Sequence, residues 1–192
     1  AADGQVDVLV LLGADLLADV PDRDLARRAL DGAGTVIALD LFATETVASA
    51  DVVLPASAWP EKDGTVTNTN RQVQMGRPAV SPPGEAREDW AITVDLAQRL
   101  GLPWEYSDVS EVFAEMKLVI TSLDNITWDR LETETVTYPS LSPTDPGQAV
   151  VFGDGFPRPE GRAKFPPAAV IPPDEAPDAA YPMIMTTGRQ LE

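Results

Sequence analysis

The stretch "VDVLVLLGAD" (6–15) is apolar at consecutive rather than alternate positions, the pattern of a parallel strand covered on both faces. "PDRDLARRAL" (21–30) follows, with Pro21 or Asp22 as a start signal and Leu25, Ala29 and Leu30 set against a charged side, which predicts an amphipathic helix. After "DGAG", "TVIALDLF" (35–42) predicts a second buried strand. "TETVASA" (44–50) predicts a short helix capped by Thr44, and "DVVLP" (51–55) a third strand. Strand, helix, strand, helix, strand with short links implies parallel strands joined by crossovers. The fold class expected is therefore α/β, a doubly wound and mainly parallel sheet of Rossmann-like form.

Downstream, "EDWAITVDLAQRLG" (88–101) has helical periodicity and ends at Gly101, and "DVSEVFAEM" (108–116) starts another helix with Asp108 or Ser110 as its cap. From about Tyr138 the texture becomes proline-rich and weakly periodic, as in "YPSLSPTDPG" and "FPPAAVIPPDEAPDAAYP", which predicts extended covering chain or linker. "YPMIMTTGRQLE" (181–192) reads as the opening of a new strand. The expected organisation is an α/β domain over 1–137, a proline-rich segment over 138–180, and the start of a further domain over 181–192. Strands lie close to both termini, so the chain is expected to be a piece of a larger protein.

Composition narrows the chemistry. Apolar residues make up 44% of the 192, enough for a core. Fourteen basic residues against 31 acidic ones give a formal charge of −17, which argues against nucleic acid or an anionic membrane as partner. Cysteine and histidine are both absent, so no Cys/His zinc site, iron–sulfur cluster or Ser–His or Cys–His pair can be assembled from this chain. No apolar run approaches a membrane span, and no basic region precedes the first apolar run. Membrane insertion is not expected.

In an open α/β sheet, ligands bind beyond the carboxyl ends of the strands. Gly13-Ala14-Asp15, Leu39-Asp40 and the segment from Pro55 to Lys62 all fall there. An acid at the end of a second strand, here Asp40, is placed to accept from a ribose hydroxyl. The first turn has only Gly13, so the GxGxxG fingerprint is absent, as is the P-loop pattern. Asp15 could instead cap the following helix. Lys62 could meet a phosphate or pair with Glu61 or Asp63 at the surface. Trp59 and Trp90 read as core or lid residues.

"TETVASADVVLPASAWPEKDGTVTNTNRQVQ", "PPGEAREDWAITVDLAQRLG", "GFPRPEGRAKF" and "YPMIMTTGRQLE" occur in that order, and together they resemble successive signatures of the molybdopterin oxidoreductase family. "EKDGTVTNTNRQVQ" and "TTGRQLE" are most similar to the catalytic (alpha) subunits of formate dehydrogenases. "LLGADLLADVPDRDLARRAL" is similar instead to the large G subunit of bacterial NADH–quinone oxidoreductase, in which the fold can serve as scaffold. Another molybdoenzyme, such as a nitrate reductase, is a further alternative. The resemblance implies the third domain of a catalytic subunit running into a β-barrel-like fourth, and a molybdenum- or tungsten-bearing molybdopterin guanine dinucleotide as cofactor. It implies nucleotide contacts from Asp15, Leu39, Asp40, Lys62 and Asp89, with Thr187, Gly188 and Arg189 along the pterin. The polar segment 64–74 is expected to cross near the cofactor.

Within this family, the metal ligand, the reacting groups and the iron–sulfur clusters belong to other parts of the parent. This chain is therefore expected to hold no catalytic residue and to be inactive alone. Its implied partners are the other domains of the parent and electron-transfer subunits, in a bacterial cytoplasm. Two stretches depart from the formate dehydrogenase pattern: Asn70-Arg71-Gln72 stands where Glu-Arg-Arg is usual, and Gly13-Ala14-Asp15-Leu16 where a Gly-Glu-Asn-Pro turn is usual.

Overall fold

Two three-stranded sheets divide the chain, one parallel and one antiparallel, in a computed structural model that describes residues 1–173, 175–186 and 188. The parallel sheet consists of β1 (Val8–Leu12), β2 (Thr35–Asp40) and β3 (Val52–Pro55), in sequence order. Its register pairs Leu11 with Ala38, and Leu39 with both Leu12 and Leu54. Between β1 and β2 run α1 (Leu16–Asp19) and α2 (Arg23–Gly32), and α3 (Glu45–Ala48) lies between β2 and β3. The helix starts follow from local chemistry. Asp22 accepts from Leu25 N at 2.9 Å and Thr44 from Val47 N at 3.2 Å, each removing one orphan donor of a first turn.

Side chains alternate across a strand, so Leu11 and Val36 share a face with Leu9 and Ala38. Leu17, Ala26 and Leu30 of α1 and α2 bury that face. The opposite face carries Val8, Val10, Leu12, Ile37, Val52 and Leu54, and only its β2–β3 side is covered, by α4 (Asp89–Arg99). Val8 and Leu12 are 54% and 59% exposed. The two-faced burial expected of β1 is thus realised on one face only. Helices do lie on both faces of the sheet, yet three strands in sequence order contain no reversal of the kind that defines a doubly wound sheet. Leu25, expected on the apolar side of α2, is exposed, and Ala26 takes its place in the core.

The antiparallel sheet is made of β4 (Gly64–Thr67), β5 (Gln72–Gly76) and β6 (Val136–Thr137). The polar segment 64–74 is a hairpin whose polar groups build its own turn. Asn68 Oδ1 accepts from Gln72 N at 2.9 Å, and Arg71 takes the left-handed conformation at φ 68°. Behind the sheet, α5 (Val109–Val119) and α6 (Trp128–Leu131) enclose a core of Val73, Phe113, Leu123, Ile126, Leu131 and Val136, which shares no residue with the cluster under the parallel sheet.

Two arginines tie the following chain to this second core. Arg71 donates to the carbonyls of Tyr138, Gln148 and Ala149. Arg130, with its side chain 8% exposed, donates to the carbonyls of Asn125 (3.0 Å), Ser142 (3.4 Å) and Asp145 (2.6 Å), to Ser140 Oγ (3.1 Å), and to the Glu134 carboxylate. Beyond β6 there is no strand or helix among the described residues, and the strand expected from residue 181 is absent over 181–186. Nothing described pairs with that segment, and an isolated extended chain has no ladder to join.

Candidate functional site

The carboxyl ends of β1, β2 and β3 bring most of the expected contact residues onto one end of the parallel sheet. Gly13 leaves β1 at φ 55°, with open space where a Cβ would sit, and its N–H donates to Leu39 O at 2.8 Å. Ala56 N donates to Asp40 O at 3.1 Å. The turns after β1 and β3 are thereby fastened to the end of β2. Leu39 is fully buried and its carbonyl is used by Gly13, so it fixes the turn from beneath. The Asp40 side chain folds over the next turn, its Oδ1 accepting from Leu41 N at 2.6 Å and Phe42 N at 3.1 Å. Its Oδ2 meets no partner among the described residues.

Asp15 stands at the N-cap position of α1 but makes no direct cap bond. Its Oδ1 accepts from Thr46 Oγ1 at 2.5 Å, and Thr46 Oγ1 accepts from Leu17 N at 3.0 Å. The capping alternative for Asp15 is therefore realised through an intermediary, the fully buried Thr46 of α3. Sequence reasoning missed Thr46; its only signal was a hydroxyl in an otherwise apolar helix stripe.

Lys62 pairs with neither Glu61 nor Asp63. Its ammonium meets Asp89 Oδ2, twenty-seven residues on, with the two side chains 30% and 46% exposed. The chain reaches this pairing through short fixed steps. Glu61 Oε2 accepts from Ala58 N at 2.8 Å and closes the 3₁₀ turn Trp59–Glu61. Arg87 N donates to Pro55 O at 3.0 Å, and Ser57 N to Arg87 O at 2.9 Å, which sets Asp89 at the start of α4 beside the end of β3. Ser57 Oγ is the one buried side-chain polar atom without a partner among the described residues. Arg87 and Arg99 both bond Asp95 and hold its carboxyl below the usual carboxylate range.

The expected contacts thus form two groups: Gly13, Asp15, Leu39 and Asp40 at the ends of β1 and β2, and Lys62 with Asp89 near the end of β3. Trp59 is exposed, and Trp90 donates its indole N–H to Glu88. Gly188 is exposed, with open space where a Cβ would sit, while Thr187 and Arg189 lie outside the described residues. No group of three or more His, Cys, Asp or Glu is placed to hold a metal among the described residues. Among them no helix is long and apolar enough to cross a membrane.

A family model described as molybdopterin oxidoreductase matches residues 1–99, which hold the parallel sheet, the β4–β5 hairpin and α4. The chain belongs to the molybdopterin oxidoreductase family. Among relatives of this molybdopterin oxidoreductase chain, the F420-dependent formate dehydrogenase subunit alpha of Methanocaldococcus jannaschii is 40% identical over 186 residues, 96% of this chain and 28% of the relative. Formate dehydrogenase H of Escherichia coli is 29% identical over 194 residues, 100% of this chain and 27% of the relative. The assimilatory nitrate reductase catalytic subunit of Bacillus subtilis is 34% identical over 201 residues, 98% of this chain and 28% of the relative. The chain spans about 28% of the length of these relatives. Acetylene hydratase from Pelobacter acetylenicus shares the fold, with a TM-score of 0.58 and 23% identity over 81% of this chain and 21% of that one.

The residues present fit the guanine end of a molybdopterin guanine dinucleotide. Guanine offers N–H donors at N1 and N2, and an ionised carboxylate is an acceptor-only group able to take both. Asp15 and Asp40 each spend one carboxylate oxygen on this chain's own donors, and the other meets no partner among the described residues. The Lys62 ammonium, paired here with Asp89, has the charge that a pyrophosphate would attract. At Gly13 the open backbone lets a ligand approach closely.

Proposed function

We propose that this chain is the nucleotide-gripping part of a formate dehydrogenase catalytic (alpha) subunit that carries molybdenum or tungsten on molybdopterin guanine dinucleotide. The observation that carries the reading is the Lys62–Asp89 pair at the carboxyl end of the parallel sheet. It joins, in space, two motifs that sequence resemblance had separately tied to the cofactor, in a chain whose relatives include formate dehydrogenases over nearly its full length. When bound, the cofactor supplies the two-electron chemistry that takes formate to CO₂.

The chain's own residues bind and orient. Lys62 holds a phosphate by charge, Asp89 and Asp15 accept from guanine N–H groups, and Asp40 accepts from a ribose hydroxyl. Thr187, Gly188 and Arg189 are the proposed contacts of the pterin. Residues 1–137 form the gripping unit, 138–180 a covering segment, and 181–192 the entry to a β-barrel-like domain. Formate oxidation requires parts of the parent outside this chain, including iron–sulfur clusters that lead electrons to partner subunits. The parent works in the cytoplasm. F420 is named for three relatives and NAD is the other candidate acceptor, so both belong in the assay.

The nitrate reductase relative supports a second reading, a molybdoenzyme of the same build acting on another substrate. Elemental analysis of the full-length parent, followed by reduction with formate and with nitrate as oxidant, separates the two. About one molybdenum or tungsten per chain with formate-dependent dye reduction is expected. Metal with nitrate turnover and no formate activity selects the second reading. A parent with intact clusters and no metal overturns both.

A further inference from the structure

We propose that Thr46 is a positioning residue for a guanine base, holding the Asp15 carboxylate so that its free oxygen faces the ligand. The proposal rests on the nucleotide-gripping reading above and extends it to a residue outside the expected contact set.

Donor chemistry fixes the direction of each bond. Leu17 N can only donate, so Thr46 Oγ1 accepts from it at 3.0 Å, and the single hydroxyl proton of Thr46 is then free to go to Asp15 Oδ1 at 2.5 Å. Asp15 therefore acts as an acceptor, as an ionised carboxylate does. An aspartate at an N-cap ordinarily accepts directly from the second or third helical N–H. Leu17 is the second residue of α1, so Asp15 could have capped it without help. The structure interposes a hydroxyl instead. Capping alone does not require this, and its effect is to set the Asp15 carboxylate outward by one hydroxyl group.

Thr46 has no solvent exposure, while Asp15 is half-buried and follows Gly13, whose backbone is open to close approach. α3 itself is held in place by Arg23 and Arg27 of α2, both paired with Glu45. The Thr46 hydroxyl is thus a fixed point between rigid elements, and Asp15 inherits its orientation. The one free oxygen of a carboxylate held this way accepts from the guanine N2–H. It favours guanine over hypoxanthine, which lacks the N2 amino group.

The test is calorimetric titration of the 192-residue chain with GDP and with inosine 5′-diphosphate, for the parent sequence and for T46V, T46S and D15N. A site built to pair with a donor rejects the analogue lacking it. The parent chain is expected to prefer GDP by about tenfold or more, the scale of one charge-assisted hydrogen bond. T46V should weaken GDP about five- to tenfold while changing inosine diphosphate less than about twofold. T46S should restore the preference, D15N should abolish it, and T46V added to D15N should cost nothing further.

A role confined to capping α1 would lower the melting temperature of T46V and leave the ratio of the two affinities unmoved, which overturns the proposal. GDP binding without guanine preference in the parent chain overturns it too, but leaves the nucleotide reading standing. Absence of any nucleotide binding removes both. If T46V does not fold, D15N decides: an unchanged preference refutes the assignment.

Discussion

Replacing Arg130 by Met removes a buried guanidinium that organises the loop from Ser140 to Asp145, and the loss can be worked from its contacts. Two of its bonds are short and directed at carbonyls, to Asp145 O at 2.6 Å and Asn125 O at 3.0 Å. Those to Ser140 Oγ and Ser142 O are longer, at 3.1 and 3.4 Å. A hydrogen bond from a charged donor contributes about 1.5–3 kcal/mol. The two short bonds alone would give about 3–6 kcal/mol if nothing compensated. Compensation is partial. Leu141 is well exposed, so water can reach the freed carbonyls on the loop side, while Ser140 stays buried. We expect a net loss of about 3 kcal/mol, the low end of what the two short bonds give.

With a urea slope of about 2 kcal/mol/M, that loss moves the midpoint down by about 1.5 M. Trp128 packs edge-on against Phe113 in the adjoining core, at 6.0 Å between ring centroids, so its fluorescence reports on the right region. R130K keeps the charge but not the planar fork, and should recover less than half of the loss. A midpoint shift below about 0.3 M for R130M would refute the claim that this side chain organises the segment, and would mean that the loop is held by its own turns.

K62A and D89N should each change stability by less than about 1 kcal/mol, since the pair is partly solvated, yet lower metal content in the full-length parent to well below one per chain. Full metal content in both variants would remove Lys62 and Asp89 from the site. Gly147 sits at φ 96°, where an added Cβ would lie 1.5 Å from Thr137 O, so G147A should detach the 145–149 loop from β6. Proteolysis confined to that loop is the readout, and an unaltered digestion pattern counts against it. Asp145 is held below the usual carboxylate range by the N–H groups of Leu141 and Gly147, and Asp108 by Ser110. Folded-state values below the unfolded ones give stability that is complete above about pH 4 and lost as the pH falls through the folded values. Melting temperatures should be insensitive to these groups from pH 5 to 8 and drop below about pH 4; a rise on acidification would contradict the assignment.

What the sequence disclosed was local. The caps at Asp22, Thr44 and Asp108, the Gly101 stop and the three apolar strand runs are each decided within a few residues, and each is where it was expected. Gly101 N donates to Gln98 O and Leu102 N to Ala97 O, the paired closure that a left-handed glycine permits. Long-range pairings were not legible. β6 joins β5 across some sixty residues through Val73 and Val136, and a two-residue strand has no periodicity to detect. The partner of Lys62 lies beyond the neighbouring acids that local reasoning offered it. Asp15 was read as either cap or contact, whereas Thr46 lets it serve the helix indirectly and keep an oxygen free.

The outer edge of β1 pairs with no strand among the described residues, and Val8, Val10 and Leu12 stand bare beside it. Unpaired strand edges are templates for self-association. The formal charge of −17 opposes such association. That repulsion reaches about 30 Å in 0.01 M salt but only about 8 Å at 0.15 M. Handled as an isolated chain, the molecule should therefore behave as a colloid stabilised by charge: dispersed in dilute buffer, and clustering edge to edge as salt is added.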